Sequence, residues 1–277
     1  MEEAQFYNLK VTYFNGSIQY KFYKKPVNFD YELECDNVSD VSDPEEASSG
    51  SETRKNKDKH SVDIERSMNV SINRSINQIY NYARANKWDY MVTFTMAADK
   101  VDRFNYTECK KKLCKLLNNW KNRKCPNLKY LIVHEMHKDK AFHFHGLIAN
   151  PGSLIFEMAR NPKNNKVLRD SSLRTIYNIK DFTLGFCTAT KVSDTYKASA
   201  YICKYISKQL SIDNYIPNIQ RYFVSKNCNL PETEIFNISQ TEFFKFMSNQ
   251  NVDFSKIIQT DYNTVYLYEI NCKDEDS

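Results

Sequence analysis

Two histidines separated by one residue form the part of this sequence best suited to chemistry. His143 and His145 lie in a strand-like segment, 141–149, which follows a second strand-like segment, 128–137, after only three residues. Successive side chains of a strand point to opposite faces, so both imidazoles share one face. The spacing therefore predicts two nitrogen ligands directed at one point.

A carboxylate reaches the same face if the two segments form a tight hairpin. A turn centred on Asp139 places Glu135 opposite His143 and Val133 opposite His145. Two imidazoles and a carboxylate, with open positions for water and substrate, suit Mg²⁺ or Mn²⁺ acting on a phosphodiester. A single histidine in a strand is usually structural. The pair with a facing glutamate favours a metal site formed by Glu135, His143 and His145.

Two further histidines belong to the same hairpin. His137 lies on the face of the predicted ligands, one step beyond Glu135, and three roles stay open for it: a ligand, a support for a ligand, or a solvated residue at the edge. His134 points to the opposite face, where we expect a structural role.

A second chemically suggestive segment, 201–208, contains Tyr-x-x-Lys twice with an offset of four residues. On a helix Tyr201 and Tyr205 are neighbours on one face, and Lys204 and Lys208 form an adjacent pair. A phenol is a weak nucleophile at its ordinary pKa of about 10, but cations and a metal-polarised phosphate make its attack feasible. The structural alternative is an amphipathic helix that uses tyrosine for packing and lysine for solubility.

Hydrophobic periodicity predicts the elements that must position these residues. We expect helices at 63–87, 106–123 and 194–210, and strands at 90–96, 128–137, 141–149 and 183–192. The order of these elements predicts an α+β fold in which helices pack against a central antiparallel sheet. The lysine-rich helix at 106–123 is either a patch that follows a nucleic-acid backbone or a solvated helix face.

Four regions divide the chain. Alternation around Asn15-Gly16 predicts a β-hairpin within 1–31, and the acidic and polar residues of 32–62 predict a disordered linker. The sheet and its helices occupy 63–211. The remainder, 212–277, forms a C-terminal extension of unknown role with one predicted strand at 264–270.

Composition limits the class of protein. Lys and Arg number 39 against 34 Asp and Glu, and the acidic residues are concentrated near the N-terminus, so the remainder is basic enough to face phosphate. The eight cysteines form no CxxC pair, which predicts reduced thiols. No secretory signal and no long apolar run occurs, so we expect a soluble, cytoplasmic protein without a membrane segment.

Together the motifs resemble those of the HUH-type rolling-circle replication initiators of small single-stranded DNA phages and plasmids. His143-Phe144-His145 is similar to the histidine-hydrophobic-histidine motif of that family, and residues 90–95 resemble its first strand motif. Residues 201–208 resemble its tyrosine motif, in the two-tyrosine form of phage initiators. The resemblance covers roughly residues 63–210, and the order and spacing of the three motifs make it specific.

The resemblance implies a single-strand DNA nickase. His143, His145 and Glu135 would hold Mg²⁺ or Mn²⁺ against the scissile phosphate of the origin, and Tyr201 or Tyr205 would attack phosphorus. The products would be a 5′-phosphotyrosine and a free 3′-OH. A second tyrosine on the same helical face would then attack the regenerated origin.

The resemblance also assigns supporting roles. Lys204 and Lys208 would hold the phosphate or stabilise the phenolate, whereas Thr93 and Thr95 would brace the sheet beside the metal. No GxxxxGK[ST] motif occurs, so a host helicase would unwind the duplex and a host polymerase would extend the 3′-OH.

Three alternatives remain. A transposase or relaxase of the same class would share the chemistry. A nucleic-acid-binding module would use the aromatic-rich sheet without cutting, and a metal hydrolase would use water instead of tyrosine. Cleavage distinguishes the binding module, and a covalent adduct distinguishes the hydrolase.

Overall fold

The computed structural model describes residues 6–28, 59–193, 197–199, 201–203 and 219–272. Its elements are β1 (Tyr7–Phe14), β2 (Ser17–Val27), α1 (Lys59–Ala85), β3 (Tyr90–Met96), α2 (Tyr106–Arg123), β4 (Lys129–Met136), β5 (Phe142–Ala149), β6 (Phe156–Met158), β7 (Ile176–Ile179), β8 (Gly185–Lys191), β9 (Tyr222–Val224), β10 (Glu232–Phe236), α3 (Gln240–Ser248), β11 (Phe254–Gln259) and β12 (Thr264–Asn271). The strands form two antiparallel sheets, which confirms the predicted α+β fold.

The chain divides into two compact units. One combines residues 1–81 with residues 230–277, and the other spans residues 82–229. The second unit contains the predicted metal ligands. It also contains the described part of the tyrosine segment.

The second unit is built on a seven-stranded sheet in the order β6-β7-β8-β3-β5-β4-β9. Helix α2 begins after Asn105, whose side chain accepts a hydrogen bond from the Glu108 amide at 3.1 Å. Its apolar stripe, including Leu113 and Trp120, packs with sheet residues such as Phe94. Because side chains alternate along a strand, the opposite face of the sheet is left to carry the histidine pair.

The first unit is built on a five-stranded sheet in the order β10-β1-β2-β12-β11. The predicted N-terminal hairpin is confirmed, with Phe14 opposite Ser17 and with Gly16 at φ 84° in the turn between them. In this sheet β2 pairs with β12, so the first and last described strands of the chain form one structure. Helix α3 packs Phe243 on Phe22, with ring centroids 4.6 Å apart.

Other outcomes differ from the sequence predictions. The stretch between β5 and β8, predicted as a polar loop, contains the short strands β6 and β7. The C-terminal extension contributes four strands and α3 rather than the single predicted strand. The predicted linker at 32–62 lies largely outside the described residues, and α1 begins at Lys59. Within the predicted helix at 194–210, residues 197–199 and 201–203 are described and are helical.

Two predictions about the class of protein are also addressed by the structure. The described cysteines are free thiols, as expected, and are Cys109, Cys114, Cys125, Cys187, Cys203, Cys228 and Cys272. Among the described helices, none has the length and apolar character needed to cross a membrane.

Candidate functional site

The β4–β5 hairpin has the predicted register. Glu135 lies opposite His143, and Val133 lies opposite His145. The turn is closed by the His137 amide, which donates to the Ala141 carbonyl at 2.9 Å. These pairs place one carboxylate and two imidazoles on the face of the sheet opposite α2.

The neighbouring strand β3 orients both imidazoles. Thr93 lies opposite His145 and Thr95 lies opposite His143. The Thr93 Oγ1 is 3.1 Å from the His145 Nδ1, and the Thr95 Oγ1 is 3.3 Å from the His143 Nδ1. A hydroxyl can donate or accept, so each threonine holds its ring in either tautomer and directs Nε2 away from β3.

The carboxylate of Glu135 contacts one of the two imidazoles. Its Oε2 lies 2.8 Å from the His145 Nε2, and both side chains are largely buried. With Nε2 donating to Glu135, the His145 Nδ1 accepts from the Thr93 hydroxyl. The three side chains therefore form a continuous hydrogen-bonded chain across β3, β5 and β4.

Both imidazoles favour the neutral form. Burial lowers the pKa of His143, and the nearby charge of His137 lowers it further. Burial also lowers the pKa of His145, against the opposing effect of its hydrogen bond to Glu135. A neutral imidazole keeps the lone pair that a metal ligand requires, so both histidines have the protonation state for coordination at neutral pH.

The other two histidines of the hairpin have different surroundings. His137 is exposed, and its ring stacks on His143 with centroids 5.0 Å apart. His134 lies on the opposite face against Tyr106 and Phe142, and burial lowers its pKa to about 4. The predicted structural role of His134 agrees with this position.

The donor set fits a divalent metal by type, although the residues are not arranged around one. Within the described ranges, no group of three or more His, Cys, Asp or Glu side chains is arranged to hold a metal ion. The reason is the Glu135 carboxylate, which bonds to His145 instead of sharing a common point with both imidazoles. Two imidazole nitrogens and one carboxylate are nevertheless suitable ligands for Mn²⁺ or Mg²⁺.

The comparison with known families bears on this site. Residues 89–210 match the model of a family described as replication-associated protein ORF2. The match covers less than half of the chain and includes Glu135, both paired histidines and Tyr201. It supports a role in replication initiation and in binding origin DNA. No curated protein matches the chain, and no solved structure matches it.

The tyrosine segment of this replication-associated region is described in part. Tyr201 is helical and 40% exposed, whereas the next residue, Ile202, is fully buried. Desolvation raises the pKa of Cys203 to about 12, so this thiol is not the ionised nucleophile of the segment. The predicted residues Lys204, Tyr205 and Lys208 lie outside the described residues.

Sequence reasoning missed a guanidinium group beside the site. Arg103 follows β3 in a loop, and its carbonyl accepts a hydrogen bond from the Phe142 amide at 2.8 Å. Its guanidinium lies 3.3 Å from the Asp139 carboxylate, and its charge helps to lower the pKa of His143. A loop has no periodicity that would have placed this residue near the histidines.

Proposed function

We propose that the protein initiates replication by nicking single-stranded origin DNA in a metal-dependent transesterification with tyrosine. The observation that carries this proposal is the common face of Glu135, His143 and His145, braced by hydroxyl groups of β3. The family match over residues 89–210 supports the same role. The site would act on origin DNA in the cytoplasm of a host cell.

The chemistry requires a nucleophile, an electrophilic phosphorus and a leaving group. A phenolic oxygen of Tyr201 or Tyr205 would form a bond to phosphorus while the bond from phosphorus to the 3′ oxygen breaks. The phenolic proton would be lost and the 3′ oxygen would gain one. The products would be a 5′-phosphotyrosine and a free 3′-OH, which a host polymerase would extend while a host helicase unwinds the duplex.

Glu135, His143 and His145 would hold Mg²⁺ or Mn²⁺, which when bound supplies positive charge against the phosphate oxygens. Lys204 and Lys208 would neutralise the phosphate or the phenolate. Because phosphodiester attack builds negative charge on phosphate oxygens, fixed cations at the site would lower its barrier.

The test is a covalent-adduct assay. The full chain is mixed with Mn²⁺ and with labelled single-stranded oligonucleotides tiled across its own replicon, and denaturing gels reveal protein-linked DNA. We expect a band that EDTA abolishes. Mass spectrometry of the labelled peptide would then identify Tyr201 or Tyr205 as the attachment site.

Substitutions separate the parts of the proposal. His143→Ala should abolish the adduct, and Tyr201→Phe combined with Tyr205→Phe should abolish it while leaving DNA binding intact. His137→Gln is the matched control, because His137 is exposed at the edge of the hairpin. An adduct formed by the double tyrosine variant would contradict the assignment. Cleavage without an adduct would indicate a hydrolase, and tight binding without cleavage would indicate a binding module.

A further inference from the structure

A large aromatic side chain is exposed on the same sheet as the candidate site. Phe186, the second residue of β8, is 54% exposed. Strand phenylalanines on the other face of this sheet, Phe94 and Phe144, are fully buried beneath α2. An aromatic ring left in water forgoes the free energy that burial would provide, so its position calls for an explanation.

The strand register places Phe186 in one row with the candidate metal ligands. Phe186 lies opposite Thr95 on β3, Thr95 lies opposite His143 on β5, and His143 lies opposite Glu135 on β4. Directly opposed residues share a face of the sheet. Since neighbouring strands are about 4.8 Å apart, the backbone of Phe186 lies roughly 10 Å from that of His143.

The side of Phe186 away from the site is open within the described sheet. Strand β7 pairs with β8 from Asn178 opposite Thr188 to Ile176 opposite Thr190, and this pairing stops before Phe186. The ring therefore stands on the histidine face without a neighbouring strand on its outer side. This geometry leaves room for a flat ligand against the ring.

We infer that Phe186 is a stacking platform for a nucleobase of the strand that the site cuts, and so positions the scissile phosphate over His143. This inference rests on the proposed function and deepens it by naming a substrate-binding residue. Single-stranded nucleic acids bind to sheets by stacking bases on exposed aromatic rings. A nucleotide extended from His143 toward β8 would bring its base to this ring.

The test measures binding separately from cleavage. Full-length protein is titrated in EDTA into fluorescein-labelled oligonucleotides from its replicon, and anisotropy gives Kd. Phe186→Ala and Phe186→Leu should each weaken binding between about fivefold and a hundredfold, because both lack an aromatic face. Phe186→Tyr should restore wild-type affinity. Phe254→Ala is the matched control, because Phe254 is an exposed phenylalanine on a strand of the other sheet.

A second readout identifies stacking directly. A 2-aminopurine placed at successive positions of the oligonucleotide should lose fluorescence on binding at one position, and this quenching should disappear in Phe186→Leu. Wild-type affinity for Phe186→Ala, or quenching unchanged in Phe186→Leu, would overturn the inference even if the covalent adduct forms. Conversely, quenching that depends on Phe186 in a protein that forms no adduct would support the stacking role and contradict the nickase.

Discussion

Each candidate metal-binding histidine is oriented through its second ring nitrogen. Thr93 contacts His145, and Thr95 contacts His143, in both cases at Nδ1. The contact leaves Nε2 as the nitrogen available for coordination. A threonine hydroxyl adapts to either tautomer, so the same side chain supports His145 when it donates to Glu135 and when it would bind a metal.

Removing one of these hydroxyls should weaken metal binding without changing the ligands. Thr93→Val keeps the β-branched shape but loses the contact with His145, so we expect the affinity for Mn²⁺ to fall roughly tenfold to a hundredfold. Isothermal titration calorimetry would measure it. The control is Thr188→Val, which lies opposite Thr93 on β8 and one strand farther from His145. Equal affinities for Thr93→Val and wild type would contradict the orienting role.

His134 should make the stability of the fold depend on pH. Burial lowers its pKa in the folded chain to about 4, from an ordinary 6.5. As pH falls below about 6.5 the unfolded chain binds a proton that the folded chain does not, so stability present at neutral pH is lost progressively toward pH 4. The loss is on the order of 3 kcal/mol.

Urea unfolding at two pH values, about 7.5 and 4.5, measures this dependence. His134→Phe should reduce the difference in unfolding free energy between the two pH values, because the neutral ring keeps the packing against Tyr106 and Phe142. His137→Gln changes an exposed histidine and should leave the difference intact. An undiminished difference in His134→Phe would assign the pH effect to other groups.

The sequence predicted the three candidate ligands because a tight hairpin leaves little freedom of register. Once Lys138, Asp139 and Lys140 are confined to the turn, the pairing of Glu135 with His143 follows. The hydrogen bond from His145 to Glu135 could not be predicted, because side-chain rotation decides which of two nearby imidazoles a carboxylate contacts. Phe186 was likewise missed, because alternation alone does not tell which face of a strand stays exposed.

At the scale of elements, long periodic segments were predicted well. Strand β3 and helix α2 have the predicted bounds, since seven and eighteen residues each establish a clear period. Strands β6 and β7 contain only three and four residues and follow from pairing with β8, which no local pattern encodes. Strand β11 was missed because its residues are mostly exposed and lack alternation.

The position of α2 decides between the two interpretations of its lysines. Lys110, Lys111 and Lys115 line an open groove on this helix. The apolar side of α2 packs on the face of the sheet opposite the histidines. A short oligonucleotide bound at the histidine face would therefore not reach these lysines, which indicates a solvated helix face.

Replacing Lys110, Lys111 and Lys115 by Gln should therefore leave the affinity for a short origin oligonucleotide within about twofold of wild type, with an unchanged salt dependence. The comparison is Arg103→Gln, which removes a cation beside His143. That variant should bind more weakly, and its slope of log affinity against log salt should be shallower by about 0.7. A shallower slope in the triple variant would instead establish α2 as a backbone contact.

At the scale of the whole molecule, the C-terminal extension completes a sheet. Strand β12 lies between β2 and β11, and its Val265 and Leu267 are buried. Sequence reasoning treated the N-terminal hairpin and this extension separately, because pairing between strands more than two hundred residues apart leaves no local signal.

Truncation before Thr264 should unfold the first unit while leaving the second folded. Hydrogen exchange followed by mass spectrometry should show loss of protection in β1 and β2, because β2 loses its partner strand and α3 loses part of its apolar support. Protection of β3 and β5 should persist. Truncation after Cys272 keeps β12 and serves as the control. Protected amides in β1 and β2 of the shorter chain would contradict this dependence.

The pairing of β2 with β12 also fixes an order of events during translation. The ribosome makes β1 and β2 first, then all seven strands of the other sheet, and only afterwards β10, β11 and β12. The nascent chain can therefore assemble the sheet that bears Glu135, His143 and His145 while its oldest hairpin still has two unpaired edges. Until the last strand emerges, those edges are open to pairing with other chains.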